Sequence, residues 1–379
     1  MEAKPKSRHL AEISANFFKL GLVAFGGPAA HIAMMDDEFV TRRQWVSRQH
    51  FLDLIGATNL IPGPNSTEMT MHLGYERGGM WGSIAAGVAF ILPAAMLTGL
   101  AAWAYVNFGS LPQVEPLLQG IKPAVVAIIL GALWRLGRKG IKNWQLVVIG
   151  AGVAVATLLD VPVLWALFAG GAVGMIWLLL QSRHAKTLPL LLPLGTAVAQ
   201  TNPDQIPLWQ IFLFFLKVGS VLYGSGYVLV AFLQNDLVDR YGWLTQVQLL
   251  DAIAIGQFTP GPVLTTATFI GYLLGGVWGA VVATLGIFLP SFVFVLMLNP
   301  LVPKMRNYVW TSAFLDAINA AAVGVMLAVT INLGHDTLTS WSAWFIFGLA
   351  TYVTLRTRLS SVWIVIGGAA LGYLFHIIF

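Results

Sequence analysis

The segments LIPGPNSTEM (60–69) and QFTPGPVLTTAT (257–268) put Pro-Gly-Pro into two apolar stretches of one chain. Each proline removes an amide donor and its ring clashes with the preceding turn, so no helix runs through the triplet. What tolerates such breaks depends on where the apolar stretches lie. Of 379 residues 57% are hydrophobic and 10% charged, whereas a soluble domain has about a quarter charged. Apolar runs at 79–107, 114–134, 144–159, 162–181, 270–299, 313–333, 341–355 and 360–379 approach or exceed the ~20 residues of a membrane span. The expected fold is an all-α integral membrane protein. The start MEAKPKSRHLAEIS is polar and basic, without the apolar core of a cleaved signal peptide, and is expected to stay in the cytosol. The net charge of +5 falls in loops between apolar runs, which suits a lipid bilayer and not a nucleic acid. The absence of cysteine excludes thiolate clusters, disulfides and cysteine nucleophiles.

The second half echoes the first. At an offset of 198, Phe17, Lys19, Gly21, Gly26, Arg42, Trp45, Asp53, Pro62, Gly63, Pro64 and Thr67 fall on Phe215, Lys217, Gly219, Gly224, Arg240, Trp243, Asp251, Pro260, Gly261, Pro262 and Thr265. After one deletion the offset is 197, and Tyr75, Gly78, Gly79, Trp81, Gly82, Pro93 and Trp144 match Tyr272, Gly275, Gly276, Trp278, Gly279, Pro290 and Trp341. One gap across that length identifies a duplication. The expected division is a first repeat at 1–186, a linker at 187–207 and a second repeat at 208–379.

Charge reads orientation, because Lys and Arg concentrate in cytoplasmic loops. Arg135, Arg138, Lys139 and Lys142 have no basic counterparts in NLGHDTLT (332–339). Conversely, the loops around Pro112 and Asp160 lack basic residues where their counterparts carry Lys304 and Arg306, then Arg356 and Arg358. The two repeats are therefore expected to be inverted, an arrangement typical of secondary transporters. Inversion needs an odd number of crossings between them, and the short segment TLPLLLPLGTAVAQ (187–200) is the spare one.

Interrupted helices at bilayer depth need backbone that is buried in protein or lines a polar cavity. Pro62, Pro64, Pro260 and Pro262 are the structural breaks. Pro64 suits the first turn of a new helix, followed by Asn65, Ser66 and Thr67; in the second half Thr265 and Thr266 take those places. A second interruption, AFGGPAAH at 24–31 with Gly26 and Gly27, is matched by LYGSGYVL at 222–229 with Gly224 and Ser225. Helix starts present free amides and about half a positive charge, which suits oxyanions. Each break, through Gly63 or Gly261, is read as half of an anion site; a lone kink would be read as packing.

Paired charges accompany the breaks. Lys19 and Lys217 lie in apolar runs and could face a dianion, or snorkel to an interface. Arg42 and Arg240 could hold an oxyanion bidentately or anchor the interface beside Trp45 and Trp243. Asp53 and Asp251 could pair with those cations, carry a coupling proton or cap a helix, and Glu68, opposite Thr266, would act asymmetrically. His72 and Glu76, four apart, read as a surface pair and not a metal site, since a third ligand is missing. Gly170 to Gly174 and Gly368 to Gly372 read as helix packing. No nucleotide-binding loop is present, and no cofactor is expected.

FGGPAAHIAMMDDEFV (25–40), Trp45, Pro-Gly-Pro at 62–64 and the GYxxGGxWGxxAA pattern from Gly74 resemble the chromate ion transporter family. Pro-Gly-Pro at 260–262 with YLLGGVWGA repeats the pattern, as in its long two-domain members. Gly224-Ser225-Gly226 departs from Gly-Gly-Pro, so no proline role carries over there. The resemblance implies a non-enzymatic carrier in the bacterial inner membrane, exporting chromate and giving chromate resistance. It would be driven by the membrane potential or, as an antiporter, by the proton gradient. Sulfate would be a competitor, and a homodimer is open. Two rival classes are a carrier of another anion, such as sulfate or an organic acid, and a membrane enzyme acting on lipid head groups; no base–nucleophile pair favours the latter.

Overall fold

The computed structural model describes residues 6–181, 206–298 and 309–378, apart from positions 26, 59–60, 110, 112–113, 160, 224–225, 227 and 358. Among these residues the chain is helical, without strands. The first half holds α1 (Lys6–Val23), α2 (Pro28–Met35) continued by π-helical Asp36–Arg42, α3 (Arg48–Thr58), α4 (Asn65–Phe108), α5 (Glu115–Gly140), α6 (Trp144–Leu158) and α7 (Val163–Gln181). The second follows the same order: α8 (Leu208–Val221), α9 (Val228–Phe232) with π-helical Leu233–Arg240, α10 (Gln246–Phe258), α11 (Thr266–Leu298), α12 (Val309–Thr337), α13 (Trp341–Arg356) and α14 (Ser361–Ile378). Six helices are long and apolar enough to cross a bilayer, and the outer faces carry Trp81, Met96, Trp278, Met297 and Trp363 more than half exposed. Such faces suit lipid. This is a multi-pass all-α membrane protein.

The long α4 is two arms. Gly78 leaves helical geometry and Gly79 sits at φ 62° and ψ −153°, a region that essentially only glycine enters. The chain reverses there: a Cβ on Gly74 would lie 2.4 Å from the Gly82 carbonyl oxygen and 2.5 Å from the Ala86 Cβ, a contact impossible along one straight helix at 1.5 Å rise per residue. Gly275 and Gly276 repeat the reversal in α11, with Gly271 against Gly279 and Ala283. The GYxxGGxWG pattern is therefore a tight helical turn, which small residues permit by letting backbones touch.

The first arm, 65–77, also pairs with α3. His50 at the start of α3 lies 3.2 Å from Glu76 at the end of the arm, so the two run antiparallel with Pro-Gly-Pro at the tip. A second hairpin precedes it. Ile13 of α1 packs at Gly78 and Gly82, and Gly21 at Phe90 and Pro93, so α1 runs beside the second arm of α4 and stops near Pro93. After the break at Gly27 (φ 79°), α2 and its π-helical extension return: Arg43 meets Glu12 at 3.6 Å, and Arg77 meets Glu12 at 3.1 Å and lies over the Trp45 ring. Both hairpins thus have their bases at one end of α4's second arm and their tips near its middle. The second half follows suit, with Gly219 of α8 against Ile287 and Gly275 against Leu208 and Ile211.

The rest of each half packs on the other. α5 lies against α13 and α14, and α12 against α6 and α7. Small residues make these crossings: Gly120 abuts Gly368 and Gly372, Gly150 abuts Gly324, and Gly174 abuts Ala317. One apolar core runs from Ile61 through Val365 across both halves, and a second, from Ile13 to Phe90, belongs to the first half alone.

Candidate functional site where the breaks cross

Gly63 donates its amide N–H to the Leu222 carbonyl at 2.8 Å, and Gly261 donates to the Ala24 carbonyl at 2.8 Å. These are the same bond made twice, because Gly63 and Ala24 correspond to Gly261 and Leu222 in the repeat. The tip of each Pro-Gly-Pro hairpin docks on the end of the other half's first hairpin. Both glycines have positive φ, 142° and 90°, as a sharp break demands. Each glycine amide is thus committed to a carbonyl whose own helix has ended and which needs a donor, so the anion reading falls on the helix starts beyond Pro64 and Pro262. Pro64 caps α4 from outside, with the helix starting at Asn65, and the second break opens with one 3₁₀ turn, Val263–Thr265, before α11.

Side chains fill the crossing. Ser66, Thr67 and Glu68 are buried on the first turn of α4. The Ser291 hydroxyl of α11 donates to Glu68 Oε1 at 3.4 Å, and a Cβ on Gly63 would stand 2.0 Å from that oxygen. Tyr223, just past α8, lies within electrostatic reach of Glu68. On the second tip Thr98 Oγ1, from α4, lies 3.3 Å from both Thr259 and Thr265; Thr265 and Thr266 return their hydroxyls to the Pro262 and Val263 carbonyls. His31 Nε2 lies 3.0 Å from the Ala24 carbonyl. Thr67 Oγ1 and Glu68 Oε2 are buried with no partner among the described residues. Hydroxyls and one carboxyl at a backbone junction can hold a desolvated oxyanion without a lysine or arginine.

Other expected site residues lie elsewhere. Lys217 is one-seventh exposed and ion-paired with Asp236 on the π-helical segment, above the Phe214 ring; Lys19 is exposed. The repeat equivalent of Asp236 is Glu38, which binds Arg43 at 2.6 Å, so the two lysines do not form one cationic pair. Arg42 is 67% exposed and held by Asp37 at 2.8 Å; Arg240 is exposed over Tyr241. Asp53 is half-buried and accepts from Gln49 at 3.3 Å. Asp251, its repeat mate, is fully buried and accepts from the Tyr105 hydroxyl at 2.8 Å, with Lys122 nearby. His72 is fully buried, not on the surface, and Glu76 binds His50 instead. No cluster of metal-ligating side chains occurs among the described residues. Gly26, Gly224, Ser225, segment 187–200, Lys304 and Arg306 lie outside them.

Sequence reading missed Thr98, Thr259, Ser291, Tyr105, Tyr223 and His31. Thr98 and Ser291 stand opposite Val295 and Ala94 in the repeat, so a search for matched pairs passes over them. A single hydroxyl in an apolar run was the available signal.

Paired broken hairpins meeting inside a duplicated helical bundle define a class of polytopic membrane protein in which non-helical backbone is enclosed by protein. The family model described as chromate transporter matches residues 11–175 and again 209–373. Two relatives called chromate transport protein are similar over nearly their whole length. That of Cupriavidus metallidurans is 31% identical over 96% of this chain and 92% of its own, and that of Pseudomonas aeruginosa 32% identical over 98% and 94%. A probable chromate transport protein of Synechococcus elongatus is 31% identical over 97% and 95%. No solved structure matches. This chain belongs to the chromate transporter family.

Proposed function

We propose that this protein is a secondary carrier that moves chromate out of the cytoplasm across the cell membrane, binding it where the two broken hairpins cross, and so gives chromate resistance. The observation carrying this reading is the reciprocal bond pair Gly63 to Leu222 and Gly261 to Ala24. It docks each helix start on the opposite repeat, with the buried Thr67 beside the first break and the hydroxyls of Thr98, Thr259 and Thr265 together at the second. Helix starts and hydroxyls suit a tetrahedral dianion. The two repeats, at 1–186 and 208–379, are inverted. The second-half hairpin touches α4 at Thr98, then at Tyr105 through Phe269 and Asp251, and so extends away from the end where the first-half hairpins have their bases. Hairpins entering from opposite faces toward the middle of the bundle suit alternating access, in which one repeat moves against the other around a fixed site.

The test is accumulation of labelled chromate by everted vesicles. Thr98→Val, which removes the hydroxyl shared by Thr259 and Thr265, is expected to raise the half-saturation concentration about 10-fold, the order of one hydrogen bond to a charged group. Unchanged half-saturation removes the crossing as the binding site. Nothing in the hydroxyl set distinguishes chromate from sulfate, an equally tetrahedral dianion, so sulfate is expected to compete. A carrier of sulfate itself is the second reading, and labelled sulfate in the same vesicles decides it.

A further inference from the structure

We infer that Glu68 is a proton-binding site of this carrier and that it takes up its proton together with the anion, not in exchange for it. The inference rests on placing the anion at the crossing. Glu68 is fully buried on the first turn beyond the break, next in sequence to Thr67. Its Oε1 is held by Ser291 of the opposite repeat and lies against the Gly63 backbone. Its Oε2 is out of solvent and has no hydrogen-bond partner among the described residues.

The groups that reach it are the Ser291 hydroxyl on α11 and the Tyr223 phenol beyond α8; His72 lies one turn along its own helix and is itself buried. No Lys or Arg among the described residues pairs with it. An ionised carboxylate without a cation at this depth is costly, and a dianion beside Thr67 adds like-charge repulsion in a medium that screens poorly. The ionised carboxylate and the anion therefore exclude each other. The neutral acid does not exclude the anion, and its O–H can donate to an oxyanion. Binding free energies are reciprocal, so whatever factor the anion gains from the proton, the proton gains from the anion.

Position makes this specific to Glu68. Its repeat equivalent is Thr266, whose hydroxyl is taken by the Val263 carbonyl. The other buried carboxyl near α4, Asp251, already accepts from Tyr105 and faces Lys122, at the end of α4 away from the crossing. The carrier is thus asymmetric at its centre although its chain is duplicated.

The experiment uses the purified full chain in detergent, with labelled chromate in equilibrium dialysis and proton uptake followed in weak buffer, on the alkaline side where chromate is a dianion in solution. Wild-type protein is expected to take up protons on adding chromate, and its affinity to fall up to about 10-fold per pH unit as the carboxyl ionises. In Glu68→Gln the proton uptake and the pH dependence both vanish; in Glu68→Asp they persist with a shifted midpoint, which keeps the test decisive if the amide variant does not fold. Chromate binding by wild type with no proton uptake, or with release, overturns the inference and leaves the chromate reading standing. Uptake by Glu68→Gln equal to wild type also overturns it. No chromate binding by wild type at any pH removes the chromate reading, and the inference with it.

Discussion

At Gly63 two demands coincide: φ of +142° and a carboxylate oxygen 2.0 Å from where a Cβ would stand. Gly261 has φ of +90° with the Ala94 Cβ at 2.6 Å. Replacing either with valine adds about 1–3 kcal/mol of backbone strain and a comparable overpacking cost, and displaces a bond between the repeats. Both variants are expected to lose chromate transport and to unfold at lower temperature, measured by vesicle uptake at matched expression and by thermal unfolding in detergent. Asn65→Ala, on a half-buried residue inside the helix start, should do less than either. The lysines divide differently. Lys217→Met strands the buried Asp236, at a cost of about 3–5 kcal/mol, and the double variant Lys217→Met with Asp236→Leu should recover most of it. Lys19→Ala, on an exposed side chain, should fall within about 0.5 kcal/mol. Thermal midpoints of the four proteins check this, and a Lys217→Met as stable as wild type would remove the ion pair as a structural element.

The helical hairpin is the repeated element, and its glycines have separate tasks. Gly79 and Gly276 turn the chain at φ near +60° with no atom within 4 Å of an added Cβ. Gly79→Ala should therefore cost only the strain of that conformation, about 1–3 kcal/mol. Gly82→Val meets the Gly74 carbonyl oxygen at 2.2 Å and should be worse, separating the arms. Stability of the two variants in detergent ranks them; equal loss would mean that the turn and not the packed arms sets the stability of the hairpin. The turn itself was hidden in the sequence. In the sequence GYxxGGxWG marks the repeat and the family resemblance, and only the contact of Gly74 with Gly82 reveals a reversal.

For the whole molecule, the proposed inversion would place the basic loops on one side. Single cysteines at 138 and 335, in a chain with none of its own, should be labelled from the cytoplasm and from outside respectively; labelling from one side only would end the inverted topology. The proton site sets the driving force. A dianion leaving with one proton exports one net negative charge, gaining about 2.3 kcal/mol per 100 mV of interior-negative potential, while the proton moves against an acid exterior at about 1.4 kcal/mol per pH unit. Collapsing the potential in vesicles should stop chromate export, and collapsing the pH gradient alone should speed it. An exchange of proton for anion would also slow when the potential is lost, since three charges then move with it, but it would slow and not speed when the pH gradient alone is collapsed.

The sequence by itself determined the membrane, the helices, the duplication and the four break points, because these follow from local rules: apolar length, proline geometry and matched spacing. Charge in the loops pointed to inversion for the same reason. What the tertiary structure alone decided is which groups meet at the breaks. The amides of Gly63 and Gly261 are taken by the carbonyls of Leu222 and Ala24 from the opposite repeat. Asp53 and Asp251 are equivalent in register, yet one is half-buried beside Gln49 and the other fully buried against Tyr105. Thr98 and Ser291 are ordinary positions on apolar helices until the halves interlock. A repeat search weighs what two halves share, whereas a buried site is made by contacts between them, and at this crossing the residues that differ, Glu68 against Thr266 and Thr98 against Val295, carry the polar groups.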